Sequence, residues 1–74
     1  KKMYKILIFN RAAPAREYGY LCNDSGEILE FDNPEAAEAA IEIEKGNLSS
    51  DEYLQFGFVV EDNEGNRGKF ERLE

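Results

Sequence analysis

The hydrophobic residues of this chain fall into short alternating runs separated by turn residues, a pattern typical of β-strands. The first run, residues 3–9, has apolar side chains on both of its faces, which predicts a central strand of a sheet. Two further runs, residues 18–22 and 27–31, flank an Asn-Asp-Ser-Gly sequence. They predict a hairpin whose turn holds Gly26 in the left-handed conformation, where a β-carbon is costly.

One helix is predicted over residues 34–45. Asn33 is a suitable N-cap, Pro34 suits the first helical position, and Gly46 is available as a left-handed C-cap. The spacing predicts an apolar side made of Ala36, Ala37, Ala40, Ile41 and Ile43.

The segment that follows the helix carries two conflicting patterns. Ser49 and Glu52 form a capping-box sequence, which favours a short helix ending before Gly57. Apolar residues also alternate with period two from Leu54 to Val60, which favours a strand. We give more weight to the alternation and predict a strand from about residue 53 to 61.

A second turn sequence, Asp-Asn-Glu-Gly at residues 62–65, precedes a last predicted strand over residues 68–73. The element order is then β-β-β-α-β-β. We expect one α+β domain spanning residues 1–74, with a small, mainly antiparallel sheet of about five strands and one helix packed across one face.

The charges are sorted along the chain. Residues 1–16 contain five bases and no acid, whereas residues 17–66 contain fourteen acids and one base, a net charge of −13. The whole chain has a net charge of −7. Such sorting predicts a basic edge and an acidic remainder, and it bears on partners more than on chemistry.

The residue types that most often carry chemistry are scarce. The chain has no histidine, the commonest general base and metal ligand, and Cys22 is its single cysteine. We therefore expect no enzyme activity, no metal site and no cofactor, and we expect Cys22 to be a small buried strand residue. The turn at residues 62–66 lacks the spacing of a calcium-binding EF-hand loop.

The missing disulfide and signal segment predict a cytoplasmic protein, and no apolar run is long enough to span a membrane.

Two binding functions stay open. Glu35, Glu38 and Glu42 share one solvent-facing stripe of the predicted helix, and we expect a protein-interaction or regulatory module that uses this stripe. The alternative is a nucleic-acid-binding module with aromatic and basic residues on the sheet. Its candidate residues are Tyr18, Tyr20, Arg11, Arg16, Arg67 and Lys69. The negative net charge disfavours this alternative, and the charged last strand favours a monomer or a weak homodimer.

Residues 20–41, a hairpin with an Asp-Ser-Gly turn followed by a capped helix that opens with Glu35-Ala36-Ala37, resemble the strands-then-helix part of AP2-type and integrase arm-type DNA-binding domains. The resemblance is topological and implies a sheet followed by a packed helix. Those families read DNA with basic, aromatic strands, whereas the matching strands here carry Asp24, Glu27 and Glu30.

Overall fold

The computed structural model describes residues 1–68 of the 74-residue chain. Its elements are strands β1 (Tyr4–Asn10) and β2 (Glu17–Tyr20), helices α1 (Pro34–Gly46) and α2 (Ser50–Gln55), and strand β3 (Phe56–Asp62). The strands form an antiparallel sheet in the order β2-β1-β3. The α+β class and the central position of the first strand are confirmed.

The predicted five strands and the order β-β-β-α-β-β are not found in the described residues. The turn at residues 23–26 is present, with Gly26 at a φ of 86°, but its second arm pairs only through isolated bridges. One bridge joins Cys22 to Ile28, and another joins Phe31 to Tyr4 of β1. Phe31 therefore takes the position beside the start of β1 that a longer β2 would need. The predicted last strand lies, from residue 69 onward, outside the described residues.

The core lies on both sides of β1. On the helix side, Ile6 and Phe58 of the sheet pack against Ala37 and Ile41 of α1, and all four are buried. On the opposite side, Leu7, Phe9 and Val59 form a second buried cluster, joined by the half-buried Tyr20. This arrangement accounts for the apolar side chains on both faces of β1.

Helix α1 begins as the sequence predicts and ends differently. The Asn33 side chain accepts a hydrogen bond from the backbone N–H of Ala36, and Pro34 occupies the first turn. At the other end, Gly46 belongs to the helix, and Asn47 caps it in the right-handed region with φ −95°. The prediction of a left-handed cap at Gly46 is wrong, because the chain turns directly into α2 through Leu48 and needs no reversal there.

The apolar side of α1 is narrower than predicted. Ala37 and Ile41 are buried and Ala40 is half-buried, but Ala36 is exposed and Ile43 is 68% exposed. Ile43 lies about 120° around the helix from Ala37, which carries it away from the sheet.

The prediction of a strand beginning near residue 53 is wrong, since helix α2 occupies that segment. Both hydrogen bonds of the capping box are present: Ser49 accepts from the backbone N–H of Glu52, and the Glu52 carboxylate accepts from the N–H of Ser49. The strand begins only at Phe56, one residue before Gly57. The capping box, and not the alternating apolar pattern, therefore predicts the structure of this segment correctly.

Candidate interaction surfaces

The bases near the N-terminus are engaged in ion pairs with acids of the sheet and its turns. Lys1 pairs with Asp32 at 3.6 Å, and Lys2 pairs with both Asp62 and Glu64 at 3.5 Å. The pKa of Lys2 is raised, chiefly by the negative charges of Asp62 and Glu64. The basic edge expected from the charge order is therefore a surface on which acids and bases alternate.

A second group of charges is centred on Glu61, whose side chain is buried on the sheet face opposite α1. Its Oε2 accepts a hydrogen bond from Nε of Arg67 at 2.7 Å, and its Oε1 accepts one from the Tyr20 hydroxyl. Lys5 Nζ lies 3.8 Å from Oε1 of Glu61 and 4.2 Å from the centre of the Tyr20 ring. Arg67 also donates to Glu17 at 2.8 Å. These contacts, which we call the Glu61 network, join all three strands.

The contacts of the Glu61 network shift the pKa values of its side chains. Burial by itself would raise the pKa of Glu61, but the hydrogen bonds from Tyr20 and Arg67 outweigh it, and the pKa of Glu61 lies below its ordinary value. The same hydrogen bond raises the pKa of Tyr20, and the two carboxylates raise that of Arg67. Since both Glu61 oxygens are occupied, the arrangement suits a structural tie better than a site for a substrate.

Asp62, the neighbouring buried acid, holds the turn that follows β3. Its carboxylate accepts hydrogen bonds from the backbone N–H groups of Glu64 and Asn66, both at 2.9 Å. The bond from Asn66 contributes most to a lowered pKa of Asp62. Gly65 completes the turn at a φ of 85°. The turn predicted from this sequence is therefore formed by backbone donors, and Asp62 is engaged within it.

Glu35, Glu38 and Glu42 are all exposed on α1, and we call them the acidic stripe. Lys45 Nζ lies 3.9 Å from Oε2 of Glu42. Within residues 1–68, neither Glu35 nor Glu38 has an ion pair. Glu35 and Glu38 of the acidic stripe thus keep their negative charge facing solvent, in contrast to Glu61 and Asp62 of the sheet.

The two candidate tyrosines of β2 are not brought together. Tyr20 packs with Leu7 and Val59 on the face opposite the helices. Tyr18 lies in the bulge of β2 on the helix side, where its ring contacts Phe56 edge-on at 5.3 Å. Its hydroxyl accepts hydrogen bonds from Gln55 and Asn10, which lower the pKa of Tyr18. The two rings therefore form no common stacking surface.

The candidate bases of the nucleic-acid hypothesis are also spread over the molecule. Arg67 belongs to the Glu61 network, and Arg11 donates to the carbonyl of Tyr53 at 2.9 Å while lying over that ring. Arg16 is exposed, with its guanidinium carbon 5.8 Å from the centre of the Tyr18 ring. Lys69 lies outside the described residues. Among the described members of this set, Arg16 and Tyr18 are the two that are both exposed and close to each other.

An open groove of about 430 Å³ lies on the helix side of the sheet, beyond the last turn of α1. Its lining is mostly apolar and consists of Ile8, Tyr18, Leu21, Glu44, Leu48, Gln55, Phe56 and Phe58. We call it the apolar groove. Ile8, Leu21, Leu48 and Phe56 pack against the core cluster but are only partly buried. The sheet therefore continues past the point where α1 ends.

Sequence reasoning missed this groove, although one signal was present. Ala37, Ile41, Glu44 and Leu48 recur at the spacing of one helix face, so an acid stands where the buried stripe should continue. A charged residue at such a position indicates that the helix no longer covers the sheet there.

Cys22 is exposed, which corrects the prediction that it is buried. Its thiol donates to the carbonyl of Tyr20 at 3.2 Å. The turn that follows Cys22 carries it beyond the region covered by the core. In residues 1–68 no cluster of three or more acidic or cysteine side chains is placed to hold a metal ion. Neither described helix is long and apolar enough to cross a membrane.

Comparison of the chain with protein-family models, with curated protein sequences and with solved structures finds no match in any of the three.

Proposed function

We propose that this chain is a non-catalytic protein-interaction module that attracts a basic partner surface to the acidic stripe of α1. The observation that carries the proposal is the contrast in charge pairing. Lys1, Lys2, Lys5 and Arg67 all lie in ion pairs with acids of the sheet and turns, whereas Glu35 and Glu38 are exposed and have no ion pair in the described part of the chain. Unneutralised charge on one face raises the association rate of an oppositely charged partner.

The alternative, nucleic-acid binding, has less support. Phosphate contacts need accessible bases, and Arg11 and Arg67 already make contacts within the protein. Stacking needs aromatic faces on one surface, and Tyr18 and Tyr20 lie on opposite faces.

The test measures association of the protein with a fluorescent helical peptide made of lysine and alanine, which has no large apolar residue. The stripe variant replaces Glu35, Glu38 and Glu42 with lysine. The control variant replaces three exposed acids of the hairpin, Asp24, Glu27 and Glu30, with lysine and changes the net charge equally.

Stopped-flow rates at low salt should fall about tenfold or more in the stripe variant and clearly less in the control. Raising the salt to about 0.15 M should narrow the difference, because the Debye length falls to about 8 Å. Equal losses in the two variants would mean that only net charge matters, and the acidic stripe would then have no special role. If the protein binds an oligonucleotide more tightly than the peptide, and that binding weakens as the salt concentration is raised, the result would favour the nucleic-acid alternative.

A further inference from the structure

The apolar groove is produced by the lengths of the two helices. Helix α1 ends at Gly46, and helix α2 has only six residues. Between them, Ile8 and Phe56 of the sheet keep part of their surface open. Leu48, which links the helices, lines the groove and also borders the adjoining depression beside Tyr53 and Leu54. The opening thus follows from the fold itself.

The lining of the groove carries one negative charge. Glu44 is the one charged side chain that lines it among the described residues. The groove also adjoins the C-terminal end of α1, where carbonyl groups carry partial negative charge. Three bases lie next to the lining without forming part of it: Arg16 is exposed beside Tyr18, the backbone N–H of Arg11 donates to the carbonyl of Gln55, and Lys45 follows Glu44 in α1. An occupant that places a positive charge at Glu44 therefore complements the groove.

The two described helices of a second copy do not meet that requirement. Among the described residues, the exposed large apolar residues of these helices are Ile43, 68% exposed, Leu54, 54% exposed, and Tyr53, 48% exposed. Ile43 lies between Glu42 and Glu44, and Leu54 follows Asp51 and Glu52 in a six-residue helix. Docking either helix would bring acids toward Glu44, and like charges at an interface oppose association.

We propose that the apolar groove binds one face of a basic amphipathic helix from a partner protein. Large apolar side chains at helical spacing would contact Ile8, Leu21, Leu48 and Phe56, and a lysine or arginine at one end would reach Glu44. The proposal rests on the proposed function as a protein-interaction module and names the partner class and the contact that retains it.

The chain has no tryptophan, so a single tryptophan on the apolar face of a probe peptide reports its own burial. The probe is a helical lysine–leucine peptide with its apolar residues on one face, and its control has the same composition in scrambled order. The groove variants are Leu48→Ala and Glu44→Gln. Their matched controls are Ile43→Ala, an exposed apolar residue outside the groove, and Glu30→Gln, an exposed acid on the hairpin.

The ordered peptide should show a blue-shifted emission that the scrambled peptide lacks. Leu48→Ala should weaken binding about tenfold and Glu44→Gln about threefold, with both controls within about twofold. Amide and methyl NMR signals of Ile8 and Leu21 in the unsubstituted protein should shift on titration, which tests the groove even if Leu48→Ala unfolds. Equal effects of Leu48→Ala and Ile43→Ala, or unchanged signals of the groove residues, would overturn the proposal.

The two proposals fail separately. If the stripe variant slows both peptides and Leu48→Ala changes neither, the acidic stripe stands and the groove fails. If Leu48→Ala weakens the lysine–leucine peptide and the stripe variant has no effect on association, the groove stands and charge attraction by the stripe fails.

Discussion

Replacing Glu61 with glutamine tests the Glu61 network directly. The substitution keeps the size of a side chain that is 5% exposed but removes its charge. A glutamine has one acceptor oxygen, so it cannot accept from both Arg67 and the Tyr20 hydroxyl as the two carboxylate oxygens do. If the amide oxygen accepts from Arg67, the amide N–H₂ faces the Tyr20 hydroxyl, which must turn to accept instead of donating, and the negative charge opposite Arg67 and Lys5 is lost.

The structure sets the expected loss at about 2 kcal/mol. Removing one partner of a fully buried ion pair costs about 3–5 kcal/mol, and a hydrogen bond to a charged group contributes about 1.5–3 kcal/mol. The lower range applies here because the Arg67 side chain is 34% exposed and retains its hydrogen bond to Glu17. A domain of this size has a total stability on the order of 5 kcal/mol, so the loss is a large share of it.

Urea unfolding followed by circular dichroism measures the effect. With a denaturant dependence of about 1 kcal/mol per molar urea, the midpoint should fall by about 2 M. Glu38→Gln, which removes an exposed acid with no ion pair in residues 1–68, is the control and should leave the midpoint unchanged.

The dependence of folding stability on pH provides an independent check of the same network. Because the pKa of Glu61 is lower in the folded than in the unfolded protein, its stabilisation is complete above the unfolded value of about 4.5 and is lost as the pH falls through the folded value. The stability difference between the two proteins should therefore be largest near neutral pH and shrink below about pH 4. A loss under about 0.5 kcal/mol at pH 7, or a difference independent of pH, would refute the account of Glu61 as the centre of the network.

One further substitution tests the packing, and one labelling experiment tests the surface. Gly57→Ala should destabilise the protein by about 1–3 kcal/mol, because a β-carbon there would lie 2.7 Å from Cε2 of Phe9 and 2.9 Å from Cγ of Arg11; a thermal unfolding midpoint equal to that of the parent would contradict the close packing of Phe9. Cys22 is exposed and should react with a thiol reagent in the native protein at a rate close to that in urea, whereas a strongly slowed native reaction would show that the thiol is covered.

The features that the sequence predicted well are those determined by neighbouring residues. Asn33 caps α1, and Gly26 and Gly65 take positive φ in turns whose sequences required it. The short-range signal was also the better guide at α2, where two hydrogen bonds between Ser49 and Glu52 complete a cap. The alternating residues after Glu52 are real, but only those from Phe56 onward have a strand beside them.

The features that the sequence did not predict depend on residues far apart in the chain. Nothing near Phe31 indicates that it pairs with Tyr4, and that pairing ends the predicted hairpin early. The Glu61 network joins residues from 5 to 67, so its acid cannot be distinguished from a solvent-exposed one by local pattern. The apolar groove escaped prediction for the same reason, because it exists only where α1 is shorter than the sheet beneath it.

The separation of charge along the chain becomes, in the folded protein, a separation between paired and unpaired acids. The early bases lie next to the acids at the end of β3 because β1 and β3 are antiparallel neighbours, with Lys5 opposite Glu61 and Tyr4 opposite Asp62. Helix α1 crosses the other face, where the one base of residues 17–66, Lys45, is on the helix itself. Strand pairing therefore places Lys2 and Lys5 beside acids of β3, whereas Glu35 and Glu38 of α1 have no ion pair in the described residues. The acidic stripe and Glu44 belong to that same helix, which is why both proposals lead to a partner with a basic surface.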